Sequence, residues 1–265
     1  MERQPNTEYV LSLSYGKDSI ACLEAIHQLG YTLNHIVHAE VWATDTIPAD
    51  LPPMVEFKKY ADQVIKFRYG IDVEHIHAVD KNGEKLTYEK IFYTQISKPR
   101  KKNSIQLYGF PQIRGPWCNS KLKMAALNAV KKKYGDCTSY IGIAADEPLR
   151  IERHKDNNIL PLLDIGWNED YCRQWCEDNS LLAPTSSDSL RGGCWFCHNQ
   201  SVGQLRLLRK KYPEYWQLLL KWDNDSPVTF KPDGHTVHDF EKRFAAEDSG
   251  LIVPGDSRFR WKQVL

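Results

Sequence analysis

Strand-like and helix-like segments alternate along the first half of this chain, and this alternation constrains its fold more than any other feature. Short apolar runs rich in β-branched residues are typical of buried strands, whereas apolar residues three or four positions apart indicate amphipathic helices. Strands are predicted at residues 9–14, 33–42, 73–79 and 139–144, and helices at 18–29, 54–67 and 120–134. Such alternation predicts an α/β fold with a parallel twisted sheet flanked by helices.

The second half of the chain has a different pattern, although no Gly/Ser-rich linker separates it from the first half. We expect a short extended segment at 159–163, a helix at 169–179 and two helical runs within 200–222. The tail from residue 223 is polar and aromatic-rich and predicts no clear element. We place a soft boundary near residue 150, which predicts an α/β domain at 1–150 and a helical part at 151–265 packed on it.

Composition and charge narrow the classes of function. The 265 residues include 35 lysines and arginines against 34 aspartates and glutamates, so no global positive field attracts nucleic acid. The longest apolar runs are of strand length, well below the roughly 18 residues that suggest a membrane span. The N-terminal sequence MERQPNTEYV lacks the apolar core of a signal peptide. We therefore expect a cytoplasmic protein with no membrane partner.

A short polar loop connects the first predicted strand to the first predicted helix. Its sequence SLSYGKDS, from Ser12 to Ser19, is small and hydroxyl-rich, and it directs backbone amides and a helix N-terminus towards one point. Such a turn binds phosphate through unpaired amides and the helix dipole. The candidate phosphate ligands are Ser12, Ser14, Tyr15, Gly16, Lys17, Asp18 and Ser19. Neither GxxxxGK[ST] nor GxGxxG is present, and an ordinary turn capped by Asp18 and Ser19 is the alternative.

This loop resembles the SGGxDS pyrophosphate loop (PP-loop) of the adenine-nucleotide alpha-hydrolase superfamily, and most closely the SGGKDS of its PAPS reductase-like branch. Tyr15 stands in place of the first glycine. The other positions of the loop match the family pattern, and the Tyr15 side chain could narrow the pocket. Further segments resemble family motifs: Asp45-Thr46, residues 142–147 with Arg150, and the PLLD at 161–164 with the following helix. The matching segments run from about residue 9 to 222. The resemblance implies a Rossmann-like domain that binds an adenine nucleotide, with Asp45 near the adenosine.

The segment from Gly142 to Glu147 follows a predicted strand and carries charged groups. It therefore lies at the carboxyl end of the sheet, where open α/β sheets bind ligands. Arg150 could pair with phosphates, and Asp146 or Glu147 could hold a Mg²⁺ ion that bridges them. A surface cluster of salt bridges is the alternative from the residues alone. The resemblance adds Gly142, Glu147 and Arg150 to the nucleotide site and implies ATP and Mg²⁺ as ligands.

The seven cysteines are an odd number, so they cannot all pair with one another. In a cytosolic chain they indicate metal or redox chemistry sooner than disulfides. Cys194 and Cys197 form a C-x₂-C turn after two glycines, a spacing that lets two thiolates hold one metal centre. A dithiol redox pair is the alternative for this turn. Cys118 stands at the start of a predicted helix, where the helix dipole lowers the pKa of a thiol, and we group it with the other two.

The family resemblance supports this grouping. In APS reductase-like relatives, a cysteine pair at this helix start joins a later C-x₂-C to hold a [4Fe-4S] cluster. This sequence has Cys118 alone at that place, which implies three protein thiolates and one open iron that could carry sulfide to a substrate. Zinc with a fourth ligand such as His198, and a metal-free thiol site, are the alternatives. The tail from residue 223 has no cysteine, so the late ECGxH nucleophile of assimilatory PAPS reductases is missing.

The other cysteines and the basic runs have plainer interpretations. We expect Cys22, Cys172 and Cys176 to pack in the core, whereas Cys137 has no assigned partner. The basic clusters could contact a nucleic-acid backbone, or they are solvated surface: residues 98–102, residues 131–133, and Arg206 with Arg209, Lys210 and Lys211. The long irregular segment 94–116 could be a lid over the active site.

These observations predict an ATP-dependent, adenylating sulfurtransferase of the PP-loop type. Lys17, Asp18 and Cys118 receive the catalytic roles, and Cys118, Cys194 and Cys197 hold the cluster. The predicted partners are an adenine nucleotide, a sulfur donor and an acceptor that could be a nucleic acid or a small molecule, and a homodimer is left open. The alternatives are a sulfonucleotide reductase that acts on adenylyl sulfate (APS) or its 3′-phosphorylated form (PAPS), and a non-catalytic nucleotide-binding module with a structural metal knuckle.

Overall fold

The computed structural model of the chain describes residues 7–97, 105–111, 116–135, 137–156, 158–184, 192–256 and 258–264. Within these residues the protein has an α/β fold in which four parallel strands form a sheet flanked by helices. This confirms the predicted fold class, while membership of a particular superfamily stays a prediction.

The elements follow one another in the order that the sequence predicts for an α/β protein. The described strands are β1 (Glu8–Ser12), β2 (His35–Ala39), β3 (Val73–Ile76), β4 (Gln95–Ser97), β5 (Ile105–Leu107) and β6 (Cys137–Tyr140). The described α-helices are α1 (Lys17–Gln28), α2 (Pro52–Tyr69), α3 (Tyr88–Phe92), α4 (Ala125–Tyr134), α5 (Pro148–His154), α6 (Pro161–Ile165), α7 (Glu169–Asp178), α8 (Val202–Lys211), α9 (Pro213–Asp225) and α10 (Val237–Asp248). A π-helix, Asn119–Met124, precedes α4, and a 3₁₀ turn, Trp261–Gln263, lies near the C-terminus. Among the described helices, none combines the length and apolarity needed to span a bilayer.

The parallel sheet has the order β3-β2-β1-β6, so β1 is an inner strand. Leu11 of β1 lies opposite Ile36 of β2 and Tyr140 of β6, and all three side chains are buried. A run of buried residues such as 9–11 is typical of a parallel strand that is covered on both faces. Because β1 and β6 are parallel neighbours, the segments that follow them emerge at the same edge of the sheet.

The chain divides into two compact units, and each is built from several segments. The first unit comprises Met1–Val41, Asp50–Lys85 and Lys121–Gly192 and contains the four-stranded sheet. The second unit comprises Trp42–Ala49, Leu86–Ser120 and Gly193–Leu265 and contains α3, the antiparallel pair β4–β5 and helices α8 to α10. A compact unit is not by itself an independently folding domain, so the predicted division at residue 150 stays a prediction.

Three differences separate the structure from the predicted elements. The PLLD segment, expected to be extended, forms helix α6 because Pro161 occupies its first turn, and Ile159 forms a single bridge with Tyr140. Helix α10 was not predicted, although Thr236 and Asp239 form a capping box at its start. The strand predicted at 139–144 extends too far towards the C-terminus, because β6 ends at Tyr140 and a loop follows it.

Candidate functional site

The loop between β1 and α1 is closed by its own hydroxyl groups. The Ser19 hydroxyl accepts a hydrogen bond from the Ser14 amide at 3.1 Å and donates one to the Gly16 carbonyl at 3.0 Å. Gly16 is the N-cap of α1, and no side chain caps this helix. Asp18 and Ser19 therefore do not cap α1, and its first-turn amides lack a side-chain cap that would compete with an anion. An ordinary strand–turn–helix without phosphate stays the alternative.

Tyr15 has an unusual backbone conformation for a residue with a side chain. Its φ is +58°, in the left-handed region that favours glycine. The ring is fully buried, its hydroxyl donates to Asp62, and that hydroxyl lies 3.2 Å from His75 Nε2. From the sequence, this side chain could narrow the pocket. In the structure the ring is instead buried and points into the protein's interior contacts with Asp62 and His75. A strained conformation of this kind persists only where the surrounding contacts enforce it.

A second buried group fixes the backbone before the loop. The His38 Nδ1–H donates to the Leu13 carbonyl at 2.8 Å, and Lys58 Nζ donates to His38 Nε2 and to Asp50, each at 2.6 Å. Burial, together with the Lys58 charge, lowers the pKa of His38 to about 4. His38 is therefore neutral at pH 7, which suits an imidazole that donates through one nitrogen and accepts through the other.

His75 holds the other side of Tyr15 as a charged group. Its ring nitrogens lie 2.9 Å from Asp62 and 2.8 Å from Glu40. Hydrogen bonds to Asp62 and Glu40 raise the pKa of His75 to about 9, and the His75 hydrogen bond lowers the pKa of Glu40 to about 2. The charged state of His75 is therefore more favourable in the folded chain than in the unfolded chain.

This raised pKa predicts a loss of stability at alkaline pH. The contribution of His75 is complete below the unfolded pKa of about 6.5 and is lost as the pH rises towards 9. Because the side chain is 29% exposed, we expect a discounted loss of about 1–2 kcal/mol in the free energy of unfolding. Urea unfolding between pH 6.5 and 9 measures it. His75→Gln should flatten the profile, whereas His77→Gln should not, and equal slopes in all three proteins would contradict the assignment.

Three carboxylates meet at the start of α1. The side-chain oxygens of Asp18, Glu147 and Glu169 lie within 4.8 Å of one another. Lys17 Nζ lies 2.7 Å from Asp18 and 3.6 Å from Glu169. Burial opposes the charge of Lys17, but the Asp18 hydrogen bond and Glu169 outweigh it and raise the pKa of Lys17. Carboxylate oxygens with a neighbouring ammonium are the groups that bind Mg²⁺ and polyphosphate.

The sequence analysis did not place Glu169 in this group. Glu169 is the first residue of α7, and its amide donates to Asp146 at 3.0 Å. Asp146 thus binds the start of α7, and of the two predicted Mg²⁺ ligands only Glu147 belongs to the carboxylate group. The signal for Glu169 was its position on the helix after PLLD, but nothing in the sequence fixes how α7 packs against α1.

Gly142 and Arg150 have roles that the structure makes specific. A Cβ atom on Gly142 would lie 2.4 Å from the Asp18 carbonyl oxygen, so only glycine lets the loop after β6 approach α1 this closely. Arg150 Nη1 donates to both oxygens of Glu147 at 2.6 Å. Pairing of Arg150 with phosphates stays a prediction.

Asp45 lies in the second unit rather than in the unit that contains the loop. There its carboxylate accepts a hydrogen bond from Lys90 Nζ at 2.7 Å. Its predicted place near the adenosine stays a prediction.

The second unit also contains all three cysteines of the predicted metal site. The Cys197 amide donates to the Cys194 carbonyl at 3.0 Å, which closes the C-x₂-C turn. The Gln200 side chain donates to the same carbonyl at 3.1 Å, and Lys231 Nζ donates to the carbonyls of His198 and Gln200 at 2.5 Å. These hydrogen bonds hold the backbone of the turn.

Cys118 differs from its expected chemistry. Burial, together with Cys197, raises the pKa of Cys118 to about 11, and the backbone hydrogen bonds at the helix start only partly oppose this shift. The net shift is opposite to the lowering that the helix start predicts, because desolvation of the thiolate outweighs the effect of the helix start. A bound metal would have to supply the charge that makes Cys118 a thiolate.

Aromatic rings pack around the segments that carry these cysteines. The Tyr88 ring centroid lies 4.8 Å from that of Trp117, which precedes Cys118, and 4.2 Å from that of Phe196, inside the C-x₂-C turn. Tyr88 is buried, and its hydroxyl has no hydrogen-bond partner among the described residues. A buried hydroxyl without a partner is uncommon and indicates a bound group or a functional role.

The ligand atoms of the predicted metal site do not form one close set. Among the described residues, only the three carboxylates at α1 bring three ligand atoms within 4.8 Å of one another. Cys118, Cys194, Cys197 and His198 are all described, so no three of their ligand atoms meet that limit. A single zinc ion bonds thiolates at about 2.3 Å, which requires a closer set. Among the described residues the three thiols and His198 therefore form no preassembled zinc site, and the choice between a cluster and zinc stays a prediction.

The remaining predictions on cysteines and basic clusters have mixed outcomes. Cys22, Cys172 and Cys176 are fully buried, which confirms their packing in the core. All seven cysteines lie in described segments, and none is in a disulfide.

Arg206 pairs with Glu247, and Arg209 pairs with Glu241 and Asp248, so these arginines are neutralised within the second unit. The basic run 98–102 lies outside the described residues.

Comparisons with known proteins add no family assignment. No protein-family model matches the chain, and no curated protein matches it.

Proposed function

We propose that this protein is an ATP-dependent, adenylating sulfurtransferase. The observation that carries the proposal is the group of three carboxylates beside Lys17, at the start of a helix without a side-chain cap. This combination offers cation ligands, an ammonium group and backbone amides at the carboxyl end of a parallel sheet, where α/β proteins bind nucleotides. The resemblance of SYGKDS to a pyrophosphate loop agrees with the same ligand.

The loop residues would bind the triphosphate and stabilise its cleavage. In the proposed reaction a substrate oxygen attacks the α-phosphorus, the bond to pyrophosphate breaks, and an adenylate forms. Lys17 would neutralise the leaving pyrophosphate, and Asp18, Glu147 and Glu169 would hold Mg²⁺ on it. Such charge stabilisation supplies most of the catalysis in phosphoryl and nucleotidyl transfer. Sulfide then attacks the substrate atom that carries the adenylated oxygen, and AMP leaves with that oxygen.

The three cysteines of the second unit would hold an iron–sulfur cluster. When bound, a cluster with three protein thiolates supplies an iron that can accept exogenous sulfide. Support for this cofactor comes from the hydroxyl of Tyr88, which has no partner among the described residues and whose ring packs on the segments that carry the thiols. The aromatic residues around the thiols would exclude water, and Gln200 and Lys231 would keep the C-x₂-C backbone in place.

A product assay tests the proposed reaction. Anaerobic protein with MgATP, sulfide and candidate acceptors should release pyrophosphate and AMP, and Asp18→Asn should reduce this release about 100-fold, as loss of a charge-stabilising group does. Asp164→Asn, a carboxylate on α6 that contacts Tyr31, is the matched control and should keep the wild-type rate. If APS or PAPS yields sulfite while ATP yields no pyrophosphate, the protein is a sulfonucleotide reductase instead.

A further inference from the structure

Tyr88 is the most unusual buried polar group in the second unit. Its side chain is fully buried on α3, and in the part of the chain that the structure describes, no atom makes a hydrogen bond to its hydroxyl. Proteins rarely keep a phenol in such a place, because phenylalanine would fill the same volume without an unsatisfied polar atom. The hydroxyl therefore needs an explanation beyond packing.

The Tyr88 ring packs against the two segments that carry the three cysteines. Its ring packs against Trp117, the neighbour of Cys118, and against Phe196, which lies inside the C-x₂-C turn. Trp222 covers a further side at a centroid distance of 5.1 Å. Burial, and after it the thiols of Cys118, Cys194 and Cys197, raise the pKa of Tyr88 well above its ordinary value. The hydroxyl is thus a neutral donor without a partner among the described residues, on a ring that packs against both segments that carry the cysteines.

We propose that the Tyr88 hydroxyl donates a hydrogen bond to sulfur of the iron–sulfur cluster and raises the reduction potential of that cluster. This inference rests on the proposed function, because it needs the cluster that Cys118, Cys194 and Cys197 would hold. Hydrogen bonds to cluster sulfur are one of the levers that set these potentials. Reduction adds negative charge, and a donor stabilises the more negative state.

The test compares midpoint potentials of anaerobically purified holoprotein. Tyr88→Phe keeps the ring that packs on Trp117 and Phe196 and removes only the donor. At a fixed potential we expect its ratio of oxidised to reduced cluster to rise about tenfold, which corresponds to a midpoint about 59 mV lower. Tyr93→Phe removes another hydroxyl of the same unit, one that donates to Asp225 at 2.5 Å, and should leave the potential unchanged.

Iron and sulfide analysis separates the possible failures. If all three proteins contain iron and sulfide but Tyr88→Phe has the wild-type potential, the role of Tyr88 is wrong and the proposed function stands. If Tyr88→Phe and Tyr93→Phe shift the potential equally, the effect is not specific to Tyr88 and the inference is again overturned. If the wild-type protein contains no iron and sulfide, the cluster and the inference fall together.

Discussion

Cys197→Ala is expected to lose most of the iron and acid-labile sulfide that the wild-type protein contains. A wild-type chain with a full cluster carries about four irons and four sulfides, and the variant would retain two of three thiolate ligands. The turn itself should survive, because the Cys197 amide, and not its thiol, donates to the Cys194 carbonyl. Metal and sulfide analysis after anaerobic purification measures the loss.

The control for this experiment is Cys137→Ala. Cys137 begins β6 and packs partly buried against Val10, Val37 and Val130, away from any predicted ligand role. Its removal should leave iron and sulfide at the wild-type level. A Cys197→Ala protein with unchanged iron, or a wild-type protein with one zinc and no sulfide, would contradict the cluster assignment.

Gly142→Ala is expected to lower the free energy of unfolding, which is the second large effect. The added Cβ would lie 2.4 Å from the Asp18 carbonyl oxygen and 2.9 Å from the Ser19 Cα, so it meets backbone that no side-chain rotation can relieve. Overpacking of this kind costs about 1–3 kcal/mol in the free energy of unfolding. The displaced start of α1 should also weaken MgATP binding, since Asp18 lies on it.

Gly203→Ala provides the comparison for that substitution. Gly203 lies in α8, where the nearest atom to an added Cβ is the Ser201 hydroxyl at 3.9 Å. Alanine there should stabilise the protein by up to about 1 kcal/mol, as expected for glycine replaced in a helix. Urea unfolding of both variants measures the difference, and equal stability of Gly142→Ala and wild type would show that the close approach is not rigid.

The strands and helices of the α/β unit could be predicted from periodicity, because apolar runs of strand length alternate with helical stripes. The choice between strand and helix was wrong where an apolar run was short. The PLLD segment is apolar enough for a strand, and a five-residue run cannot be separated from a helix by periodicity alone. Its proline, well placed for a first helical turn, favoured the helix that forms. Helix α10 was missed although Thr236 and Asp239 match a capping box.

The candidate site could be predicted only as far as local sequence reaches. SYGKDS predicted a loop before a helix, and the structure has that loop, but nothing in the sequence tells that Tyr15 adopts a left-handed φ with a buried ring. That conformation depends on Asp62 and His75, which come from distant segments. Glu169 was missed for the same reason, because its approach to Asp18 follows from tertiary packing.

The thiol of Cys118 illustrates a competition between two physical effects. The helix start was visible in the sequence, and its dipole favours a thiolate. The degree of burial was not visible, and desolvation raises the pKa of Cys118 to about 11. Local sequence therefore predicted the smaller effect correctly and had no access to the larger one.

The central claim is that the protein adenylates a substrate with ATP, and identifying which bond of ATP is broken tests it most directly. With MgATP labelled on the α- and γ-phosphates, a sulfur donor and a panel of nucleic-acid and small-molecule acceptors, chromatography of the products identifies that bond. If the protein is an adenylating enzyme that uses Lys17 and the three carboxylates, we expect cleavage between the α- and β-phosphates. AMP and pyrophosphate should then form in equal amounts. Release of ADP and phosphate, lost in Asp18→Asn, would place the reaction at the γ-phosphate and contradict the account.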